Sequence, residues 1–221
     1  MTMALSTAQR VAGVLRDRIE GGGLPPGTRL SEEALGRDLG VSRNTLREAF
    51  RLLIHESLVV HRLNRGVFVR VVDPADVTDI YRVRAALECA GVRAAAGAGR
   101  PLREAVTAAV EEAGRAAAGG DWQEVGSADL RFHRALAALS GSPRIDAAMD
   151  RLMAELRLAF HAMPSPRRFH EPFLARNRAL AKLLADGEYA RAESELTTYL
   201  DDALELILGA LREREREGEN A

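Results

Sequence analysis

Apolar residues recur at helical spacing through Ala8, Val11, Ala12, Leu15 and Ile19, which predicts a first helix stopped by Gly21, Gly22 and Gly23. Pro25, Pro26 and Gly27 then read as a turn. Ser31 suits the N-cap of a second helix, with Glu32 and Glu33 in the first turn where the helix dipole favours anions. That helix turns Leu35 and Leu39 inward and should end at Gly40, a residue able to take the left-handed C-cap conformation. A third helix follows at once, capped by Ser42 and carrying Leu46, Ala49, Phe50 and Leu53 on one face.

Two β-rich runs come next, Val59 to Arg62 and Val67 to Val71, on either side of Leu63-Asn64-Arg65-Gly66. Asn and Gly there suit a tight hairpin. Asp73-Pro74 breaks the pattern and divides the chain into residues 1–73 and 74–221. Beyond Asp76 the periodicity is helical throughout, with breaks near Gly97 to Pro101, Gly119-Gly120, Gly141 to Pro143, Pro164 to Pro166, and Gly187. They leave six helical segments and a charged tail, Arg212 to Glu219, that is expected to fray. The predicted fold class is mainly α: an N-terminal winged helix-turn-helix with a small β-hairpin wing, then an all-α helical bundle.

Composition adds little except through its distribution. Hydrophobic residues at 47% and charged residues at 29% argue against disorder. Residues 1–72 hold eleven Arg against seven Asp and Glu, whereas the remainder holds twenty basic against twenty-five acidic residues. A basic first third on a mildly acidic remainder is expected if only the N-terminal part meets a polyanion. Cys89 is the only cysteine, so an internal disulfide and a cysteine zinc cluster are both excluded. No apolar run approaches the roughly 20 residues of a membrane-spanning helix, and no signal-peptide pattern is visible in Met1 to Val14. A cytoplasmic location follows as the expectation.

Three helices and a hairpin define the winged helix-turn-helix, in which the third helix enters the major groove by its N-terminal residues. Arg43 and Arg47 lie one turn apart on that helix, Ser42 and Asn44 sit at its leading end, and Arg65 occupies the hairpin tip. Guanidinium forks suit guanine O6/N7 or phosphate, and short polar side chains can read bases or hold phosphate. Double-stranded DNA is therefore the expected partner, the alternative being a merely solvated basic helix start.

The bundle carries a second constellation. Asp129 and His133 are four residues apart on one helical face with Val125, Phe132 and Leu136. Polar groups on an apolar stripe must find partners, so the pair is either half of a metal site or an internal structural link. Arg84 likewise shares a face with Ile80, Tyr81 and Leu87; it either pairs with Glu88 at i,i+4 or clamps an anionic ligand. His161 and His170 flank the Pro-rich loop and are expected to face solvent.

The segments LPPGTRLSEEALGRDLGVSRNTLREAFRLL and LVVHRLNRGVFV resemble the GntR family of bacterial transcription regulators. YRVRAALE at residues 81–88, DLRFH at 129–133 and the helical pattern after Glu171 resemble its FadR-type C-terminal domain. The resemblance implies a homodimeric, operator-binding repressor or activator released by a small effector, often a carboxylic acid; a dimer in turn implies a palindromic operator. By matching position it implies DNA contacts at Ser42, Arg43, Asn44, Arg47, Arg65 and Gly66, although Asn44-Thr45 departs from the small polar residue and proline frequent there. Arg84, Asp129, His133, Asn177 and Tyr199, all expected to point inward, are the candidate effector pocket. Relatives of this type often hold a divalent metal through the Asp and His of this motif and two further His on the last two helices. Those two positions are Asn177 and Tyr199 here, weak and poor ligands for soft or borderline metals. No cofactor is therefore expected, with zinc or nickel at Asp129 and His133 as the alternative.

Two other classes stand beside this reading. Asp129 and His133 could be the acid-base pair of a helical hydrolase, but GxSxG, HExxH, GxxxxGK[ST] and GxGxxG are all absent. A constitutive architectural DNA binder would fill Arg84, Asp129, Asn177 and Tyr199 with apolar residues.

Overall fold

The computed structural model describes residues 5–161, 163 and 165–219. They divide into two compact units, residues 1–72 together with Ala154–His161, and residues 73–153 together with 162–221.

In the first unit, α1 (Thr7–Glu20) opens with a capping box between Ser6 and Gln9 and buries Val11, Ala12, Leu15 and Ile19. Helix α2 (Glu32–Leu39) is capped by Ser31 and stops at Gly40, whose φ of 64° is left-handed. The chain then enters α3 (Arg43–His55), where Ser42 Oγ accepts from the Thr45 backbone N–H at 3.1 Å. Leu46, Ala49, Phe50 and Leu53 are buried, so the opposite face of α3 is left to solvent.

The wing is larger than a hairpin. Strands β2 (Val59–Arg62) and β3 (Gly66–Val69) pair as the hairpin pattern predicts, with Asn64 at φ 58° and Gly66 at φ 101° accommodating the tip. A third strand, β1 (Arg29–Leu30), pairs antiparallel with β3, placing Arg29 opposite Phe68 in a sheet ordered β1-β3-β2. Two residues are too few for alternation to show in a sequence. Strand β3 also stops at Val69, short of the run predicted to Val71, and Val71 is exposed.

The second unit is built from α4 (Pro74–Ala94), α5 (Arg100–Ala118), α6 (Trp122–Ala138), α7 (Pro143–Phe160, whose end falls in the first unit), α8 (Pro166–Ala185) and α9 (Tyr189–Glu219). Asp73 forms a capping box with Asp76, and Pro74 takes the first helical position, where it displaces no hydrogen bond. Helix α9 continues through Arg212 to Glu219, the stretch expected to fray. Helices α4 and α6 cross closely at Gly91, where a Cβ would fall 2.0 Å from the Leu136 carbonyl oxygen. That approach brings the polar residues of both helices within reach of one another. No helix among the described residues is long and apolar enough to cross a membrane.

Candidate functional site

Two groups of residues carry chemistry. The first is the solvent face of α3 with the wing. Arg43, Asn44 and Arg47 are exposed along one end of α3, and Arg65 is exposed at the hairpin tip. Ser42 is also exposed, but its Oγ is engaged as the α3 cap and lies 2.9 Å from Thr45 Oγ1. Arg47 is not a free guanidinium: its Nε donates to Glu32 Oε1 at 2.9 Å, across the helix-turn-helix. The wing adds cations that the sequence reading left out. Arg29 on β1 lies beside Gly66, and Arg62 stacks over Phe68 at 4.9 Å. Only strand pairing reveals that Arg29 and Gly66 are neighbours.

The second group is buried between α4, α6, α8 and α9. Arg84, Asp129, His133, Asn177 and Tyr199, singled out from four separate segments, come together there, all buried. Arg84 Nε donates to Glu88 Oε1 at 2.9 Å, and its guanidinium lies 4.5 Å from the Tyr81 ring centroid. Glu88 Oε2 lies 2.7 Å from His133 Nδ1, so one carboxylate ties α4 to α6. His133 Nε2 lies 3.2 Å from Tyr199 Oη, which donates in turn to Asp129 Oδ1 at 3.3 Å. Asn177 Nδ2 donates to the same Asp129 oxygen at 2.8 Å. A carboxylate accepts only, so the amide of Asn177 must present its nitrogen there.

His170 corrects an expectation. It is buried rather than solvent-facing, and its Nδ1 lies 3.8 Å from Asp129 Oδ2. Gly126 makes the space, since a Cβ at that position would lie 2.7 Å from His170 Nε2. The signal was present in the spacing: His170, Phe173, Asn177, Leu180 and Leu184 form one buried stripe of α8. His161 is half-buried rather than solvent-facing, with Nε2 3.1 Å from the Glu20 carbonyl oxygen.

The electrostatics follow from burial and partners. Burial alone would raise the Glu88 carboxyl, but the charges of His133 and Arg84 and their hydrogen bonds outweigh it and hold it below the usual range. Asp129 is depressed in the same way, burial being overcome by His133, His170 and the Asn177 hydrogen bond. Burial pushes Tyr81 up to about 12 and Tyr199 well above its ordinary value, so both phenols stay protonated. Because both carboxyls are depressed on folding, their stabilisation is complete above the ordinary carboxylate range and is lost as pH falls through the depressed values. The urea midpoint of Trp122 fluorescence, which reports α6, should therefore drop steeply below about pH 4. Glu88→Gln should flatten that acid limb; a wild-type midpoint unchanged down to about pH 3 would contradict the burial of these charges.

Two polar atoms stay outside the network. Among the described residues, Arg84 Nη2 and Asn177 Oδ1 are buried with no hydrogen-bond partner, one a donor and the other an acceptor. No group of three His, Cys, Asp or Glu among the described residues is placed to hold a metal ion.

Comparison with known proteins places each group within a known type of domain. Residues 7–69 match the family described as bacterial regulatory proteins, gntR family, and residues 79–202 match the FCD domain. The chain is 31% identical over 193 residues to the Nta operon transcriptional regulator of Aminobacter aminovorans, covering 85% of this chain and 90% of that protein. The gluconate operon transcriptional repressor of Bacillus licheniformis is 40% identical over 84 residues, 38% of this chain and 34% of that one. A solved GntR transcriptional regulator of Rhodococcus sp. RHA1 is 47% identical, with a TM-score of 0.88 over 93% of this chain and 99% of that one. With a DNA-binding helix-turn-helix in the first unit and an FCD domain in the second, this chain belongs to the GntR family of bacterial transcriptional regulators.

Proposed function

We propose that the protein is a cytoplasmic repressor that binds a palindromic operator as a homodimer and leaves it when a small carboxylic acid enters the buried cluster of the FCD domain. The observation that carries the effector reading is that Arg84 Nη2 and Asn177 Oδ1, two buried atoms of the cluster, have no hydrogen-bond partner. Leaving such atoms unpaired costs about 1–3 kcal/mol each, a cost a ligand can remove. The guanidinium edge asks for an acceptor such as a carboxylate, and the amide oxygen for a donor such as a hydroxyl. The ion pair with Glu88 and the anion clamp are thus compatible: the first uses Nε and the second Nη2.

The same geometry favours direct binding over a metal bridge. The Asp129 oxygen that would face an ion already accepts from Asn177 and Tyr199, and His133 Nε2 is directed at the Tyr199 phenol. A neutral phenol and a carboxamide are poor partners for zinc or nickel, so these residues do not fit a tightly held divalent ion. The enzyme alternative has no support in the named relatives, which are regulators.

Assembly is tested together with DNA binding. One winged module buries too little surface for tight operator binding, so two are expected on a short palindrome, joined through the FCD domain. Light scattering of the purified protein with a gel-shifted promoter fragment should give two protomers per duplex. A strictly monomeric protein at operator-binding concentrations would overturn the dimer.

A further inference from the structure

The Arg47–Glu32 contact has a geometry that bears on specificity. Glu32 is the first residue of α2 and Arg47 lies in the second turn of α3, so the pair spans the two helices of the motif. The bond uses Arg47 Nε, at 2.9 Å from Glu32 Oε1, while 62% of the Arg47 side chain is exposed. An exposed pair contributes little to stability, so fold maintenance does not account for it. A guanidinium offers two edges for paired acceptors, one through Nε and one through its two terminal nitrogens. The bond to Glu32 takes up Nε and not the terminal fork, which matches the O6/N7 pair of guanine.

We propose that Glu32 is a specificity-determining positioning residue, which fixes Arg47 by its Nε edge and offsets its charge until a base presents two acceptors to the terminal fork. This rests on the reading of Arg47 as a DNA contact. A phosphate needs only a nearby cation, and an Arg47 already neutralised by Glu32 attracts it weakly. A correctly placed guanine engages the fork without breaking the Nε bond, so the carboxylate lowers indiscriminate affinity more than specific affinity. Asn44 and Arg43, which no carboxylate engages among the described residues, are left to the backbone and to neighbouring bases.

The test uses full-length protein and a pool of duplexes with a randomised core. Wild type, Glu32→Ala, Glu32→Gln and Arg47→Ala are each used for selection. Binding is then measured on the enriched duplex, on its single-base variants and on a scrambled duplex over a salt series. For each half-site engaged, Glu32→Ala should bind the scrambled duplex more tightly by up to about eightfold at about 0.1 M salt, with a log–log salt slope steeper by about 0.9. It should also lose at least about fivefold discrimination at the guanine that Arg47→Ala ceases to read. Glu32→Gln, which keeps the shape and an acceptor, should show the rise in scrambled binding with less loss of discrimination; should Glu32→Ala fold poorly, an unchanged scrambled affinity in Glu32→Gln overturns the proposal. If Arg47→Ala loses discrimination and Glu32→Ala does not, Arg47 reads DNA unaided and the positioning role falls alone. If Arg47→Ala leaves discrimination intact, the contact itself falls, and the proposal with it. An equal loss of affinity by Glu32→Ala for enriched and scrambled duplexes would also overturn it.

Discussion

Replacing Glu88 by alanine is expected to destabilise the FCD domain by about 3–5 kcal/mol, the range for stranding one member of a buried ion pair. Glu88 is fully buried and each of its oxygens serves a different partner, Oε1 the Arg84 guanidinium and Oε2 the His133 ring. Arg84 is 1% exposed and sits against the Tyr81 ring, so without Glu88 its charge can neither reach water nor find another carboxylate at bonding distance. Exchanging Arg84→Met with Glu88→Leu should recover only the share that comes from stranding Arg84, because His133 Nδ1 still loses its carboxylate. Urea unfolding followed by Trp122, the only tryptophan, reads the domain directly. A Glu88→Ala cost under about 1 kcal/mol would mean that the pair is solvated rather than buried.

The second large effect falls on DNA. Arg43→Ala and Arg47→Ala should each weaken specific operator binding by about 1–3 kcal/mol if they read bases, and a dimer loses the contact in both half-sites. A residue that touches phosphate instead should weaken all duplexes alike and reduce the salt slope by about 1 per half-site. Arg65→Ala at the wing tip provides the comparison, since it reaches DNA from a different element. A gel-shift series in which neither α3 variant loses affinity would remove α3 from the groove.

Much of the first unit was legible because its boundaries are set by local chemistry. Ser31 and Ser42 cap helices, Gly40 takes the left-handed conformation, and Asn64 and Gly66 form the wing tip, all within a few residues of the positions they control. Strand β1 was not legible, because its two residues acquire their role only by pairing with Phe68 and Val67. In the FCD domain the apolar stripes of α4 and α6 suffice to put Arg84, Asp129 and His133 inward. What a stripe cannot give is partner identity across the bundle. Glu88 looked like a helical neighbour of Arg84, and only the close crossing at Gly91 shows it also holding His133. His170 was misplaced because the neighbouring prolines suggested an exposed loop, whereas Gly126 on a distant helix provides the hollow that buries it.

Restoring the two absent imidazoles bears on the same cluster. Asn177→His with Tyr199→His would release Asp129 from two donors and His133 Nε2 from the phenol, and should create affinity for zinc or nickel. The most direct measurement uses the wild-type protein alone, on a promoter fragment it shifts. Release by a panel of small carboxylic acids is titrated before and after exhaustive chelation, with elemental analysis of the same samples. Release at unchanged acid concentration after chelation, no stoichiometric metal, and a raised concentration requirement in Arg84→Ala are the expected results. Stoichiometric metal lost on chelation together with the acid response would contradict direct binding by Arg84 and Asn177.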